Sequence, residues 1–214
     1  MVNYKVWFTS DLHLCHRNIL KYTDRINRIG LNPQSPNLDQ MNQWIIDKWN
    51  SRVDKQDIVY MLGDFSFINT DITRKFLEKL HGKKHLIWGN HDKSLKGLEH
   101  YFESCSDIKE TTFKKDNFPF LDENMTVVMC HFPILAWDRR MHGSVMLHGH
   151  THGSIDELNK NSGELRVDVG LDGKLADYDM VSLEQVYSYM KNVSEGKPFA
   201  QYAEELAERI NLRF

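Results

Sequence analysis

Leu147-His148-Gly149-His150-Thr151-His152-Gly153 sets three histidines at alternate positions. In extended backbone, residues two apart project to the same side, so His150 and His152 can aim two imidazoles at one point. Gly149, with no Cβ, lets the chain approach that point closely. Neutral imidazole is the commonest metal ligand. Taken alone, the stretch is equally a run of surface or core histidines; four other segments that end in polar clusters give it meaning.

Tyr4–Thr9, short, aromatic and β-branched, suits a buried strand and ends in Ser10-Asp11-Leu12-His13. Asp11 and His13, again two apart, are candidate metal ligands, or else a polar turn. His16, Arg17 and Asn18 then form either a lip of the same cleft or a solvated loop. The apolar run Ile58–Leu62 closes on Gly63-Asp64, and Lys84–Trp88 closes on Gly89-Asn90-His91-Asp92. Met125–Met129 leads through Cys130, a small core residue on the opposite face, to His131. Arg166–Gly170 is one more strand.

Between strands, Leu38-Asp39 opens a helix with Met41, Trp44, Ile45 and Trp49 on one face, the tryptophans reading as core. Thr70–Leu80 reads as a second helix, stopped by His81-Gly82. Residues 24–38, with Gly30, Pro33 and Pro36, read as a loop. A short helix is expected at Ser94–His100 and a strand at Ile108–Phe113. Ser182-Leu183-Glu184-Gln185 is a capping box before a helix carrying Val186, Tyr189 and Met190. A last helix spans Phe199 to Leu212, with Ala203, Leu206, Ala207 and Ile210 on one face.

Alternation of strands and helices through the first half, with more strands later, predicts an α/β protein with a largely parallel sheet and a second, more mixed one. Residues 1–214 fit a single domain. In such sheets ligands sit beyond the carboxyl ends of strands, where every cluster above lies.

Hydrophobic residues at 41% and charged residues at 27% are ordinary for a globular protein. A net charge of −3 argues against a general nucleic-acid or membrane-surface binder. A phosphate-bearing substrate stays compatible, because bound divalent metal would supply local positive charge. Cys15, Cys105 and Cys130, an odd and unpatterned set, suit free thiols in a reducing compartment. With no secretory leader visible and no apolar run near ~18 residues, a cytoplasmic protein that does not span a membrane is expected.

In order along the chain, Asp11-Leu12-His13, Gly63-Asp64, Gly89-Asn90-His91-Asp92, His131 and Gly149-His150-Thr151-His152 resemble the signature blocks of calcineurin-like metallophosphoesterases, in particular the small stand-alone bacterial and phage type. The resemblance implies an α/β sandwich of two mixed β-sheets flanked by helices. It also implies two divalent ions, manganese foremost, with iron, zinc or nickel as alternatives. Asp11, His13, Asp64 and His152 would surround one ion, and Asp64, Asn90, His131 and His150 the other, with Asp64 bridging. Two ions ~3.5–4 Å apart would activate a bridging water and offset charge on a phosphoryl group. By the same resemblance His91 faces the leaving-group oxygen, as general acid or transition-state stabiliser. Asp92 either orients His91 or caps the following helix.

Departures narrow the substrate. Phe65-Ser66-Phe67-Ile68-Asn69 follows Gly63-Asp64 in place of the extension found in serine/threonine protein phosphatases. His91 stands where the lipid A pathway hydrolase carries Arg. A small phosphate mono- or diester, nucleotide-like, is the expected substrate. Trp137 and Arg139, with Arg140 and His142, lie between two blocks as candidate substrate contacts, the two arginines being otherwise a solvated pair. A metal-bound scaffold without turnover is the alternative class, and the sequence sets no oligomeric state.

Overall fold

Period-two alternation along the strands sorts the interior into layers. The computed structural model describes residues 2–209. In β1 (Val6–Thr9), Val6 and Phe8 face one side and Trp7 the other. β2 (Ile58–Met61) repeats this, with Tyr60 beside Phe8 and with Val59 and Met61 beside Trp7. β1 and β2 run parallel to each other and to β3 (Lys83–Ile87) and β4 (Ser104–Ser106), and the antiparallel β9 (Val181–Ser182) closes the other edge in the order β4-β3-β2-β1-β9.

The second sheet has the order β5 (Ile108–Phe113), β6 (Met125–Cys130), β7 (Val145–His148) and β8 (Arg166–Asp168). Only β5 pairs antiparallel. Met125, Val127, Met129, Val145, Leu147 and Val167 meet Val6, Phe8 and Tyr60 in one apolar cluster, so the inner faces of the two sheets pack on each other. Both sheets are mixed, each parallel apart from one edge strand. This is the expected sandwich.

Helices cover the outer face of the first sheet. α1 (Ile19–Tyr22) and α3 (Leu38–Arg52) bury Ile19, Met41, Ile45, Ile46 and Trp49 against Trp7, Val59 and Met61. Asn37 caps α3, its side chain accepting from the Asp39 and Gln40 amides. On the other outer face Trp137 packs with Val128, Cys130 and Met146. The Ser182 capping box is present, with Gln185 as its partner, and opens α6 (Leu183–Val193), whose Leu183, Val186, Tyr187 and Met190 join the inter-sheet core. α7 (Phe199–Arg209) adds Phe199, Tyr202 and Leu206 to that core; Ile210 and Leu212, expected on the same helix, lie outside the described residues.

Several expectations are corrected. Residues 24–38 are not all loop, since α2 (Arg25–Ile29) forms within them and stops at Gly30, φ 75°. The helix expected to reach Leu80 is α4 (Thr70–Leu77), followed by a turn. Ser94–His100 holds two short 3-10 turns, Asp92–Leu95 and Glu99–Tyr101. The strands β4 and β9 are too short for periodicity to reveal. α5 (Asp156–Ser162) is polar throughout apart from an exposed Leu158, so it carries no apolar stripe.

Candidate metal centre

The ends of β1, β2, β6 and β7 and the loop after β3 deliver their polar residues to one place, at the seam where the two sheets meet. Backbone bonds lash these ends together. The amides of Asp11 and His13 donate to the Gly63 and Asp64 carbonyls at 3.0 Å each, and the Gly149 amide donates to the His131 carbonyl at 3.0 Å. Asp11, His13, Asp64, His150 and His152 all adopt left-handed backbone, with φ of 57°, 50°, 54°, 68° and 48°. That region is uncommon for side chains other than Gly, and it persists only where surrounding bonds impose it.

Gly89 and Gly149 give the cluster its density. A Cβ on Gly149 would stand 2.1 Å from Ser10 Oγ and 2.4 Å from Asp11 Oδ2. A Cβ on Gly89 would stand 2.3 Å from Asp64 Oδ1.

Two groups of candidate ligands result, Asp11 with His13 and His152, and Asp11 with Asp64 and His131. Within each group the ligand atoms lie within 4.8 Å of one another. Asp64 Oδ2 sits between two imidazoles, 3.7 Å from His13 Nε2 and 3.6 Å from His131 Nε2. Asp11 Oδ1 and His13 Nε2 are buried, 3.6 Å apart, and without a hydrogen-bond partner. At that distance their attraction is electrostatic rather than a hydrogen bond. Buried polar atoms left unpaired are costly, and a cation between them removes the cost. The mixed N and O donor set, without sulfur, fits a divalent metal ion.

Outer partners aim the rings. His131 Nδ1 lies 2.7 Å from the Leu62 carbonyl, so that nitrogen carries the hydrogen. In the neutral ring its Nε2 lone pair then faces Asn90 Oδ1 at 2.9 Å, two acceptors converging as they would on a shared cation. His152 Nδ1 meets Asp172 Oδ2 at 2.7 Å. His150 is exposed at the rim; its amide donates to Asp11 Oδ2 at 2.9 Å and its ring lies 5.1 Å from that of His131.

Charge follows this geometry. Burial works to raise the Asp11 carboxyl, but His13, His152 and His131 around it outweigh burial and hold it down to about 2. Burial, opposed by Asp11, keeps the His13 imidazole below its ordinary range. Burial also opposes a proton on His152, yet Asp172 and Asp11 win and raise it. Metal affinity here is pH-dependent, because each imidazole ligand must be neutral to bind.

The structure sorts the other candidates. His16 joins the cluster, with Nδ1 3.0 Å from His13 Nδ1 and its ring stacked 3.7 Å from Phe67. Burial, then the neighbouring His13 and His91, push it down to about 4. Arg17 and Asn18 are exposed on the same lip. His91 is exposed, its amide donating to Asp64 Oδ1 at 2.9 Å. Asp92 does neither task expected of it. Its carboxylate is buried and accepts from the amides of Gly89, Asp64 and Phe65 at 2.7, 3.0 and 2.9 Å, tying the loop after β3 to the loop after β2.

Trp137 is a correction. It is 7% exposed, and its Nε1 donates to Ser144 O and Oγ, so it is a core residue. Arg139 is exposed beside a cleft formed wholly by residues 136–142, and none of the clustered Asp or His residues lines it. Arg140 pairs with Glu164, so the two arginines are not a solvated pair.

Sequence reasoning missed Asp172, Arg25, Asp168 and Phe67. Asp168 accepts from Thr151 Oγ1 at 2.6 Å and from the Gly153 amide at 3.1 Å, bracing the histidine turn. A signal for both acids existed, since Asp168 and Asp172 flank Gly170 just past a strand, as Asp64 follows Gly63.

The family model for calcineurin-like phosphoesterases matches residues 4–177. The chain belongs to the calcineurin-like phosphoesterase family. Membership brings metal-dependent hydrolysis of phosphate esters as the general chemistry. Among related proteins, the Gene 66 protein of Mycobacterium phage D29 is 29% identical over 214 residues, covering 89% of this chain and 98% of its own. The uncharacterized protein MJ1445 of Methanocaldococcus jannaschii is 30% identical over 199 residues, covering 90% and 93%. The crystal structure of a protein of unknown function, AQ665 from Aquifex aeolicus, superposes with a TM-score of 0.62 at 20% identity, over 87% of this chain and 100% of that one, a likeness of fold. Among the described residues no helix is long and apolar enough to cross a membrane.

Proposed function

We propose that this phosphoesterase hydrolyses small, nucleotide-like phosphate mono- or diesters at a dinuclear metal centre, with manganese the first candidate. The observation that carries the proposal is Asp64 Oδ2, 3.7 Å from His13 Nε2 and 3.6 Å from His131 Nε2, which supports its reading as a shared carboxylate. Asp11, His13 and His152 would hold one ion with it, and Asn90, His131 and His150 the other. Two divalent ions bound there supply a water of lowered pKa and offset the phosphoryl charge.

The chain's own residues do the rest. Leu62 O and Asp172 fix the faces of His131 and His152, so their Nε2 atoms point inward without rotameric search. His91 stands at the exposed rim, its backbone tied to Asp64, where a protonated ring can give its proton to a leaving oxygen. Free thiols at Cys15, Cys105 and Cys130 support action in a reducing cytoplasm.

A substrate panel tests this: bis-p-nitrophenyl phosphate, p-nitrophenyl phosphate, 2′,3′-cyclic nucleotides and dinucleoside polyphosphates, each with and without added Mn²⁺. Metal-dependent turnover of at least one is expected. Metal bound without turnover of any would favour the scaffold reading instead.

A further inference from the structure

Arg25 is 0% exposed, yet it belongs to the short helix α2 in a stretch that reads as loop. All its donors point toward the candidate metal centre. Nη2 donates to the Asp11 carbonyl and Nη1 to the Leu12 carbonyl, each at 2.7 Å. Nε and Nη2 fork onto the Asp172 carboxylate at 2.8 and 2.7 Å. The Asp172 oxygen that accepts Nη2, Oδ2, also lies 2.7 Å from His152 Nδ1. One guanidinium therefore joins the turn that carries Asp11 to the carboxylate that holds His152, two residues delivered from different sheets.

α2 grips the same loop a second time. Arg28 pairs with Asp177, and its guanidinium lies 5.0 Å from the centre of the Tyr178 ring. Asp177 and Tyr178 sit at φ of 43° and 67°, a tight turn held from outside. Lys could not replace Arg25 without loss, because an ammonium is a point donor and cannot span two carbonyls and a carboxylate in one plane.

We infer that Arg25, acting through Asp172, is a positioning residue: it sets the ring orientation and tautomer of His152 and braces the left-handed turn at Asp11, and so shapes above all the metal position that His152 lines. This rests on reading the cluster as a metal centre, while its effect on the His152 ring is independent of metal.

The test uses the full chain with Arg25→Lys, Arg25→Gln and Asp172→Asn. Asp172→Asn is near-isosteric and serves where an Arg25 variant fails to fold. In metal-free protein held alkaline enough for His152 to be neutral, long-range ¹H–¹⁵N spectra report which of its ring nitrogens carries hydrogen. The wild type should show Nδ1–H, and the variants a mixed or reversed pattern. Calorimetric titration with Mn²⁺ alone should then show one equivalent weakened by roughly 10–100-fold, the usual cost of an outer partner, with the other weakened less and Arg25→Lys intermediate. An unmoved His152 pattern, with both equivalents weakened alike or neither, overturns the inference. A wild type that binds no Mn²⁺ sinks the metal reading instead, and the His152 spectra still decide the role of Arg25.

Discussion

Asp64 Oδ2 lies 3.6 Å from His131 Nε2, although Asp64 follows β2 in one sheet and His131 follows β6 in the other. The centre is thus a joint between two sheets. A bridge from Ser10 to Gly170 stitches the same seam. Neither sheet alone carries all the candidate ligands, so the site is complete only where the two sheets pack.

Asp64→Asn should separate ligation from folding. Asn keeps an oxygen for the His91 amide but removes the charge shared by His13 and His131. Both Mn²⁺ equivalents should weaken by more than the roughly 10–100-fold cost of an outer partner. The metal-free protein should melt no lower than wild type, because Asp11, Asp64 and Asp92 crowd like charges together. Elemental analysis paired with thermal melts measures both, and wild-type manganese content in the variant would refute a bridging role.

Gly89→Ala should damage the same carboxylate sterically. The new Cβ would meet Asp64 Oδ1 at 2.3 Å and the Asp64 backbone nitrogen at 2.5 Å, and backbone cannot swing aside. Overpacking of this kind costs about 1–3 kcal/mol, and each kcal/mol lowers the melting temperature of a chain this size by about 2–4 °C. Melting at the wild-type temperature with manganese retained would show that the close approach is dispensable.

Much of this centre is legible in the sequence because its residues sit at strand ends, in short tracts with period two. Asp11, His13, His150 and His152 announce themselves this way, whereas Asp64, Asn90 and His131 are single polar residues past strands that the family resemblance picks out. Arg25 does not: its importance comes from four hydrogen bonds to distant backbone and a distant carboxylate, and no local pattern encodes those. Trp137 misleads for the converse reason. Its place between two motif blocks suggests substrate, but its ring is needed under β6 and β7. β9, two residues long, exists only as a partner for β1.

His85 should make the metal-free protein less stable in mild acid. Its ring stacks 4.8 Å from Tyr60, and Nδ1 lies 2.8 Å from Ser104 Oγ. Burial, then Lys109, hold its imidazole below the ordinary range. The unfolded chain takes up that proton near pH ~6.5 while the folded chain does not. The unfolded state therefore binds more protons below that pH, so this contribution is complete above it and declines as pH falls toward the folded value. His85→Gln should flatten the decline, as followed by melts between about pH 5 and about pH 7.5. An identical slope in the variant would assign the effect elsewhere.

Trp137→Phe should lower stability and spare turnover. The indole N–H donates to Ser144 O and Oγ at 3.1 Å each, and Phe leaves those acceptors short of a donor in the interior. About 1–3 kcal/mol is expected from an unsatisfied buried group. Melting temperature reads the loss; KM and kcat on whichever panel substrate turns over should match wild type. A raised KM would return Trp137 to the substrate.

His91→Ala should keep metal and lose rate. The backbone N–H that holds Asp64 Oδ1 survives the substitution, so the carboxylate keeps its position, and Ala removes only a ring 4.6 Å from Phe67 and 6.3 Å from His13. If that ring donates a proton to the departing oxygen, kcat falls by roughly 10²–10⁴ for poor leaving groups. It falls far less for p-nitrophenolate, which leaves without help. A uniform loss across leaving groups would point instead to stabilisation of phosphoryl charge. Loss of manganese by elemental analysis would instead tie the His91 ring to the metal site and not to the leaving group.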